Sequence, residues 1–185
     1  MIVTLLLAAA AVAAPDPKAC RLDDAAKRAN AALTFDQFDQ QGTLATSARK
    51  LGERGCWREA AEATVDYLIR GPVATPGEQR ILLFHLGRQL ALAGDERRGA
   101  EFIAGTRRSD QPMAPMSANL RWNEYVTGTW AFLTKDRPLL IKSRDAVLAG
   151  TSEGDRINGK LLEAMERCFD RPYEVAYDPQ CGAAR

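Results

Sequence analysis

Two stretches of this chain carry the same order of small, apolar, turn and aromatic residues, and that internal repeat limits the fold more than any other feature. In the first, Ala48, Leu51, Gly55, Trp57, Ala60, Tyr67 and Pro72 fall at the small, apolar, turn, aromatic, small, aromatic and stop positions of a helical hairpin. In the second, Gly87, Leu90, Gly94, Gly99 and Ile103 repeat much of that order. A hairpin of two amphipathic helices leaves an apolar face that it cannot bury alone, so such units must stack on one another. A stacked helical scaffold binds or supports more often than it catalyses, because its chemistry depends on what its concave face displays.

The rest of the chain extends this pattern. Leu22, Ala25, Ala26, Ala29 and Leu33 recur at helical spacing behind Asp23 and Asp24, whose negative charge suits a helix N-terminus. Thr34–Gln41 mixes Phe35 and Phe38 with acidic and amide residues, and either starts the next helix or leads into it. Helices are expected from about Thr43 to Arg54 and from Trp57 to Arg70, split by Gly55 and stopped by Gly71-Pro72. The segment 73–77 reads as a connector. Glu78–Ala93, apolar on nearly every side, belongs in the middle of the stack, and Gly94-Asp95 turns it into a partner from Glu96 to about Thr106. Arg107–Ser117, with Pro112 and Pro115, reads as a loop. A third, poorer hairpin runs from about Ala118 to Leu133 and from Asp136 to Leu148, with Pro138 in the first turn of its second helix. After a polar connector, a last helix from about Arg156 to Phe169 carries Ile157, Leu161, Met165 and Cys168 on one stripe, as a closing cap would. No strand-like alternation of any length occurs, so the expected class is all-α, with about seven to eight helices.

Met1–Ala13 contains no charged residue and closes on Ala11-Val12-Ala13, the small-x-small pattern that signal peptidase reads, although no Lys or Arg precedes Leu5. Cleavage is expected after Ala13, leaving 14–185 as a single domain in the periplasm or secreted, with no membrane insertion thereafter. Lys18 and Asp16 stand where a lipid anchor at Cys20 would need small apolar residues. The 25 basic and 24 acidic residues nearly cancel, so there is no basic excess to hold a nucleic-acid backbone or an anionic membrane. The four cysteines, Cys20, Cys56, Cys168 and Cys181, form an even set suited to disulfides in an exported chain. Of three pairings, Cys20 with Cys56 clips the first helix to the first turn, and Cys168 with Cys181 closes a C-terminal tail rich in Pro, Tyr and Asp. No CxxC occurs and His85 is the sole histidine, so neither a metal site nor a cofactor is expected.

The first hairpin resembles a tetratricopeptide repeat unit through Ala48, Leu51, Gly55, Trp57, Ala60, Tyr67 and Pro72, with Thr64 where an aromatic is usual. The second is similar through Leu86, Gly87, Leu90, Gly94 and Ile103, with Gly99 and Thr106 where alanines are usual and a connector about five residues longer than the family's period. The resemblance implies a right-handed stack whose first helices line a concave face for a peptide or partner protein. Carried over by position, that face includes Ala45, Arg49, Glu53, Phe84 and Arg88, with Trp122, Tyr125 and Thr129 added if Gly128 holds the small position.

Four groups of residues could carry chemistry. His85, between Phe84 and Leu86, reads as a core residue first and as a general base only if a carboxylate orients it. Arg121, Trp122, Asn123, Glu124 and Tyr125 form the densest cluster able to recognise a ligand, and on a helix Trp122 and Tyr125 share one face, which reads as core before it reads as a binding surface. Asp36 with Asp39, and Glu163 with Glu166, are one helical step apart and are expected on solvated faces. Tyr173 and Tyr177 lie in the tail that Cys168 and Cys181 would close, and read as a lid packed on the core. GxSxG, HExxH and a phosphate-cradling glycine loop are all missing, so no catalytic residue is assigned. The leading expectation is a scaffold that binds a protein or peptide, or a second copy of itself, through Arg49, Arg88, Arg121, Trp122, Asn123 and Tyr125. The alternatives are an envelope hydrolase or lyase with its site around His85, and a structural subunit without a ligand.

Overall fold

In a computed structural model, residues 20–72, 74–107 and 120–183 are described, and among them the chain is all-helical without a strand. The signal peptide expected over 1–13 and its cleavage point, most of the loop expected after Arg107, and the start of the third hairpin near Ala118 lie outside the described residues.

Nine α-helices and one π-helical segment follow in order among the described residues: α1 (Asp24–Ala31), the π segment (Asp36–Gln41), α2 (Ala48–Glu53), α3 (Trp57–Arg70), α4 (Pro76–Leu92), α5 (Glu96–Ala104), α6 (Trp122–Leu133), α7 (Arg137–Leu148), α8 (Glu153–Arg167) and α9 (Tyr173–Ala176). Side-chain caps set several starts. Asp23, Asp95, Asp136 and Ser152 each accept a bond from a backbone N–H three residues on, and Thr75 and Glu78 form a reciprocal capping box. These caps place α4 and α8 ahead of the starts expected from apolar periodicity at Glu78 and Arg156. Conversely, α2 begins at Ala48 instead of near Thr43, because Gly42, at φ 68°, ends the π segment and a turn closed by Ser47 N–H on the Leu44 carbonyl (3.0 Å) intervenes.

One turn closes all three hairpins. The second residue after each first helix is left-handed: Gly55 at φ 74°, Gly94 at φ 90° and Lys135 at φ 61°. The following N–H reaches back five residues in each case, from Cys56 to Leu51, from Asp95 to Leu90 and from Asp136 to Ala131, at 2.8–2.9 Å. Lys135 adopts a conformation that favours glycine, and its ammonium is tied down, donating to the Phe169 carbonyl at 3.2 Å and lying 4.2 Å from the Phe132 ring centre.

From α2 to α8 each helix packs against the next in sequence, while α1 lies on α3, α6 meets α8, and α9 returns from α8 to α4. The tightest crossing joins α4 to α5, where a Cβ built on Gly99 would stand 2.6 Å from the Gly87 carbonyl oxygen, and one on Gly87 would stand 2.8 Å from that of Gly99. The core has two lobes. One gathers Phe38, Leu51, Ala60, Tyr67 and Leu82, the other Phe84, Ile103, Trp122, Phe132, Leu162 and Tyr173, and Ile81 packs against both.

Cys20 is bonded to Cys56 and Cys168 to Cys181, with Cα separations of 5.4 and 6.2 Å. The two disulfides point to an oxidising, extracytoplasmic environment. Among the described residues no helix is long and apolar enough to cross a membrane. The C-terminal bridge fastens a tail that Arg167 also holds, donating to the Cys181 and Pro179 carbonyls at 2.9 and 2.8 Å. Thus fixed, the tail buries Tyr173 completely and lays Tyr177 against α4.

Candidate functional site

A buried polar arrangement is built on the π segment. An α-helical turn would keep Asp36 and Asp39 on one face, but the wider π turn carries Phe38 and Asp39 inward together and leaves Asp36 outside, bonded to Gln41. Phe38 stacks on Tyr67 with ring centres 4.0 Å apart, which anchors the segment to α3. Asp39 is only 3% exposed, so the expectation of a solvated pair is corrected: one of the two carboxylates is buried.

A buried carboxylate needs partners, and Asp39 has them. Its Oδ1 lies 2.7 Å from Nδ1 of His85 on α4, and its Oδ2 accepts from Gln40 Nε2 at 2.5 Å. Burial pushes the Asp39 carboxyl up, but His85, Arg88 and Gln40 together outweigh it and hold the group below the usual carboxylate range. His85 therefore leaves the core position first expected for it and stands at the wall of a cavity, 17% exposed at its side chain.

That cavity, of about 160 Å³, is lined by Asp39 from the π segment, Ala48, Arg49, Gly52 and Glu53 from α2, Trp57 from α3, and His85, Arg88 and Gln89 from α4. Gly52 is required where it stands: a Cβ there would come within 2.8 Å of the Trp57 ring. Arg49 Nε and Lys50 Nζ hold the two Glu53 oxygens at 3.2 and 2.7 Å. The buried Thr64 hydroxyl lies 2.9 Å from both the Gln89 Oε1 and the Ala60 carbonyl oxygen, so its one hydrogen is shared between a lining side chain and its own helix.

Arg88 joins the cavity to the tail. It donates to the Tyr177 hydroxyl at 2.8 Å, and its guanidinium lies 5.5 Å from that ring's centre. Burial alone would lower its proton affinity, but Tyr177, Tyr125, Tyr173 and Asp39 more than reverse this, so the guanidinium stays charged. Burial likewise raises the Tyr125 and Tyr173 phenols well above their ordinary value, and both remain neutral O–H groups. Those two hydroxyls and Arg88 Nε are buried without a hydrogen-bond partner.

Of the residues singled out in sequence, the structure thus brings Asp39, Arg49, Glu53, His85 and Arg88 to one cavity. Trp122 and Tyr125 pack beneath it, 8% and 3% exposed, with their rings 5.3 and 5.4 Å from Phe84, and Trp122 Nε1 donates to the Thr106 carbonyl at 2.9 Å. Arg121 is exposed at the start of α6, where its backbone N–H bonds Asp155 at 2.8 Å, and neither it nor the half-buried Asn123 lines the cavity. Glu166 pairs with Arg144 on another face. Asp39 was marked in sequence only as half of the Asp36–Asp39 pair expected on a solvated face, and Gln89 carried no signal. Among the described residues no group of three or more His, Cys, Asp or Glu side chains converges as metal ligands would.

Comparison with protein-family models, with curated proteins and with solved structures finds no match for this chain.

Proposed function

We propose that this chain is a periplasmic or secreted binding module, a right-handed tetratricopeptide-like stack whose cavity receives a single polar group of a protein or peptide partner. The observation that carries the reading is the cavity itself, which lies between the first helices of two successive hairpins, α2 and α4, with Arg49, Glu53, His85 and Arg88 in its walls. The shared turn of the three hairpins and their packing in sequence order support the stack. Size favours a partner's side chain or chain end over a free cofactor: about 160 Å³ falls below the 300–1,000 Å³ usual for drug-sized ligands. The test replaces Glu53, at the cavity, with a photo-crosslinking residue in the exported chain, and Ile69, 77% exposed on α3, as the control. A discrete crosslinked species at Glu53 and none at Ile69 is the expected result, its mass separating a second copy of this chain from a foreign partner. Equal labelling at both positions would remove the assignment.

A second reading rests on the 2.7 Å contact of Asp39 with His85. A carboxylate that fixes the imidazole prepares it to take a proton, from water in a hydrolase or from the substrate in a lyase. The lining contains no Ser, Thr or Cys, so water itself would be the nucleophile. Turnover of an ester, glycoside, peptide or phosphate substrate that vanishes in His85→Gln would establish this reading, and silence across all four classes would dismiss it.

A further inference from the structure

Hydrogen-bond bookkeeping at the cavity says what chemistry is left over. The carboxylate oxygens are each already met by a donor of the chain, those of Asp39 by His85 and Gln40 and those of Glu53 by Arg49 and Lys50. Donors remain unspent. Arg49 carries five N–H bonds and spends Nε on Glu53, while Arg88 spends one on Tyr177 and keeps a buried, unpartnered Nε. A ligand completing this lining supplies acceptors.

His85 adds a condition. Asp39 is ionised and can only accept, so Nδ1 of His85 carries the hydrogen in their 2.7 Å contact. In the neutral ring Nε2 is then a lone pair, a second acceptor beside any acceptor-rich guest. In the imidazolium it becomes a donor and matches Arg49 and Arg88. The charged and titratable groups around the ring are Asp39 from the π segment, Arg49 and Glu53 from α2, Arg88 on its own helix, and Tyr177 of the tail behind Arg88. With Lys50 on Glu53 counted, three cations stand against two carboxylates, so the surroundings already favour an anion, and a proton on Nε2 adds a further donor and charge.

We infer that the cavity takes an oxyanion, a carboxylate or phosphate group, and takes it together with a proton on His85 Nε2. The inference rests on the reading of this cavity as a binding site, and specifies the chemistry of the group received and the pH at which it is held. Binding tightens as pH falls, by up to about tenfold per pH unit where the free ring is neutral and the bound ring charged.

The experiment uses the untagged full chain, whose sole histidine gives unambiguous ring resonances. Acetate, succinate and inorganic phosphate are titrated in at constant ionic strength set by chloride, with methylammonium as the cationic probe. The expected result is a saturable shift of the His85 nitrogens toward the imidazolium form with carboxylate or phosphate. Arg49→Gln, on the exposed wall, weakens it at least fivefold with the remaining spectrum unchanged. His85→Asn keeps residual binding through the arginines but loses its pH dependence. A planar-selective response assigns a carboxylate source, and a phosphate-selective one a phosphorylated source. Response to methylammonium alone, affinity that rises with pH, or no saturable shift with any anion would overturn the inference. The crosslinking at Glu53 is read separately, so a partner captured there without an anion response leaves the binding module standing and removes only the oxyanion.

Discussion

The α4–α5 crossing offers the sharpest test of the packing. A Cβ on Gly99 would lie 2.6 Å from the Gly87 carbonyl oxygen, 2.9 Å from Ala91 Cβ and 3.1 Å from Ala91 N. Two of these are backbone atoms, which cannot swing aside as a side chain end can. Gly99→Ala must therefore part the helices, at an overpacking cost of about 1–3 kcal/mol. Against that, alanine in a helix interior recovers about 1 kcal/mol of propensity over glycine. Because backbone atoms cannot yield, the overpacking cost sits at the upper end of its range and the net is a loss of about 2 kcal/mol, or a fall in Tm of about 4–8 °C for a chain of this size. Gly87→Ala meets the same contact from the other side, 2.8 Å from the Gly99 oxygen and 2.7 Å from Ile103 Cγ1, and carries a similar cost. The two are not independent. Once the first substitution has separated the helices, the second has room, so the double variant loses less than the sum, with a coupling of about 1 kcal/mol. Gly105→Ala, just past the end of α5 at φ −72° with its nearest non-local atom at 3.6 Å, is the control and leaves Tm unchanged or slightly raised. Thermal unfolding followed by far-ultraviolet circular dichroism reads all four proteins. Either single variant at wild-type stability, or strict additivity in the double, would refute the close approach as the reason for these glycines.

Three further outcomes are expected. Gly94→Val puts a β-branched residue at φ 90° with nothing within 4 Å, so its cost is conformational alone, at least about 1–2 kcal/mol, and an unchanged melting temperature would count against the tight turn. Asp39 is held below its unfolded value of about 3.9, so its contribution to stability is present above that pH and is lost as pH falls through the lower folded value. Asp39→Asn accordingly costs about 1–3 kcal/mol at pH 7, and denaturant titrations of the two proteins converge below about pH 4; a constant gap would contradict the pairing with His85. Non-reducing peptide mapping yields Cys20 joined to Cys56 and Cys168 to Cys181, and serine replacement of the longer-range pair, separated by 36 residues, costs more than that of the pair separated by 13, about 4 against about 3 kcal/mol by loop entropy. Equal losses, or free thiols in material from an oxidising compartment, would overturn that ordering.

Helices and turns were legible in the sequence because their causes are local. Apolar spacing marked α3 and α4, Gly55 and Gly94 marked two of the turns, and the even cysteine set with a Pro- and Tyr-rich tail between Cys168 and Cys181 marked the bridges. Helix starts moved where a cap overruled periodicity, as at Thr75 and Ser152. The third turn was legible between Leu133 and Asp136, but not that Lys135 would take a glycine's conformation there, with its ammonium held by the Phe132 ring and by the Phe169 carbonyl, 34 residues away.

The candidate site was legible only in parts. Arg49 and Arg88 followed from position in the repeat, whereas the buried carboxylate did not: a period of 3.6 residues keeps Asp36 and Asp39 together outside, and the π turn that separates them is anchored by Phe38 on Tyr67 of another helix. The contact of Asp39 with His85 spans 46 residues, and that of Arg88 with Tyr177 spans 89. The sequence by itself determined which segments are helical, where most of them turn and how the cysteines can pair, since each depends on residues that are neighbours or on composition. The tertiary structure decided which charged side chains meet, because burying a charge is tolerated only where a distant element brings its partner, and no local pattern records that meeting.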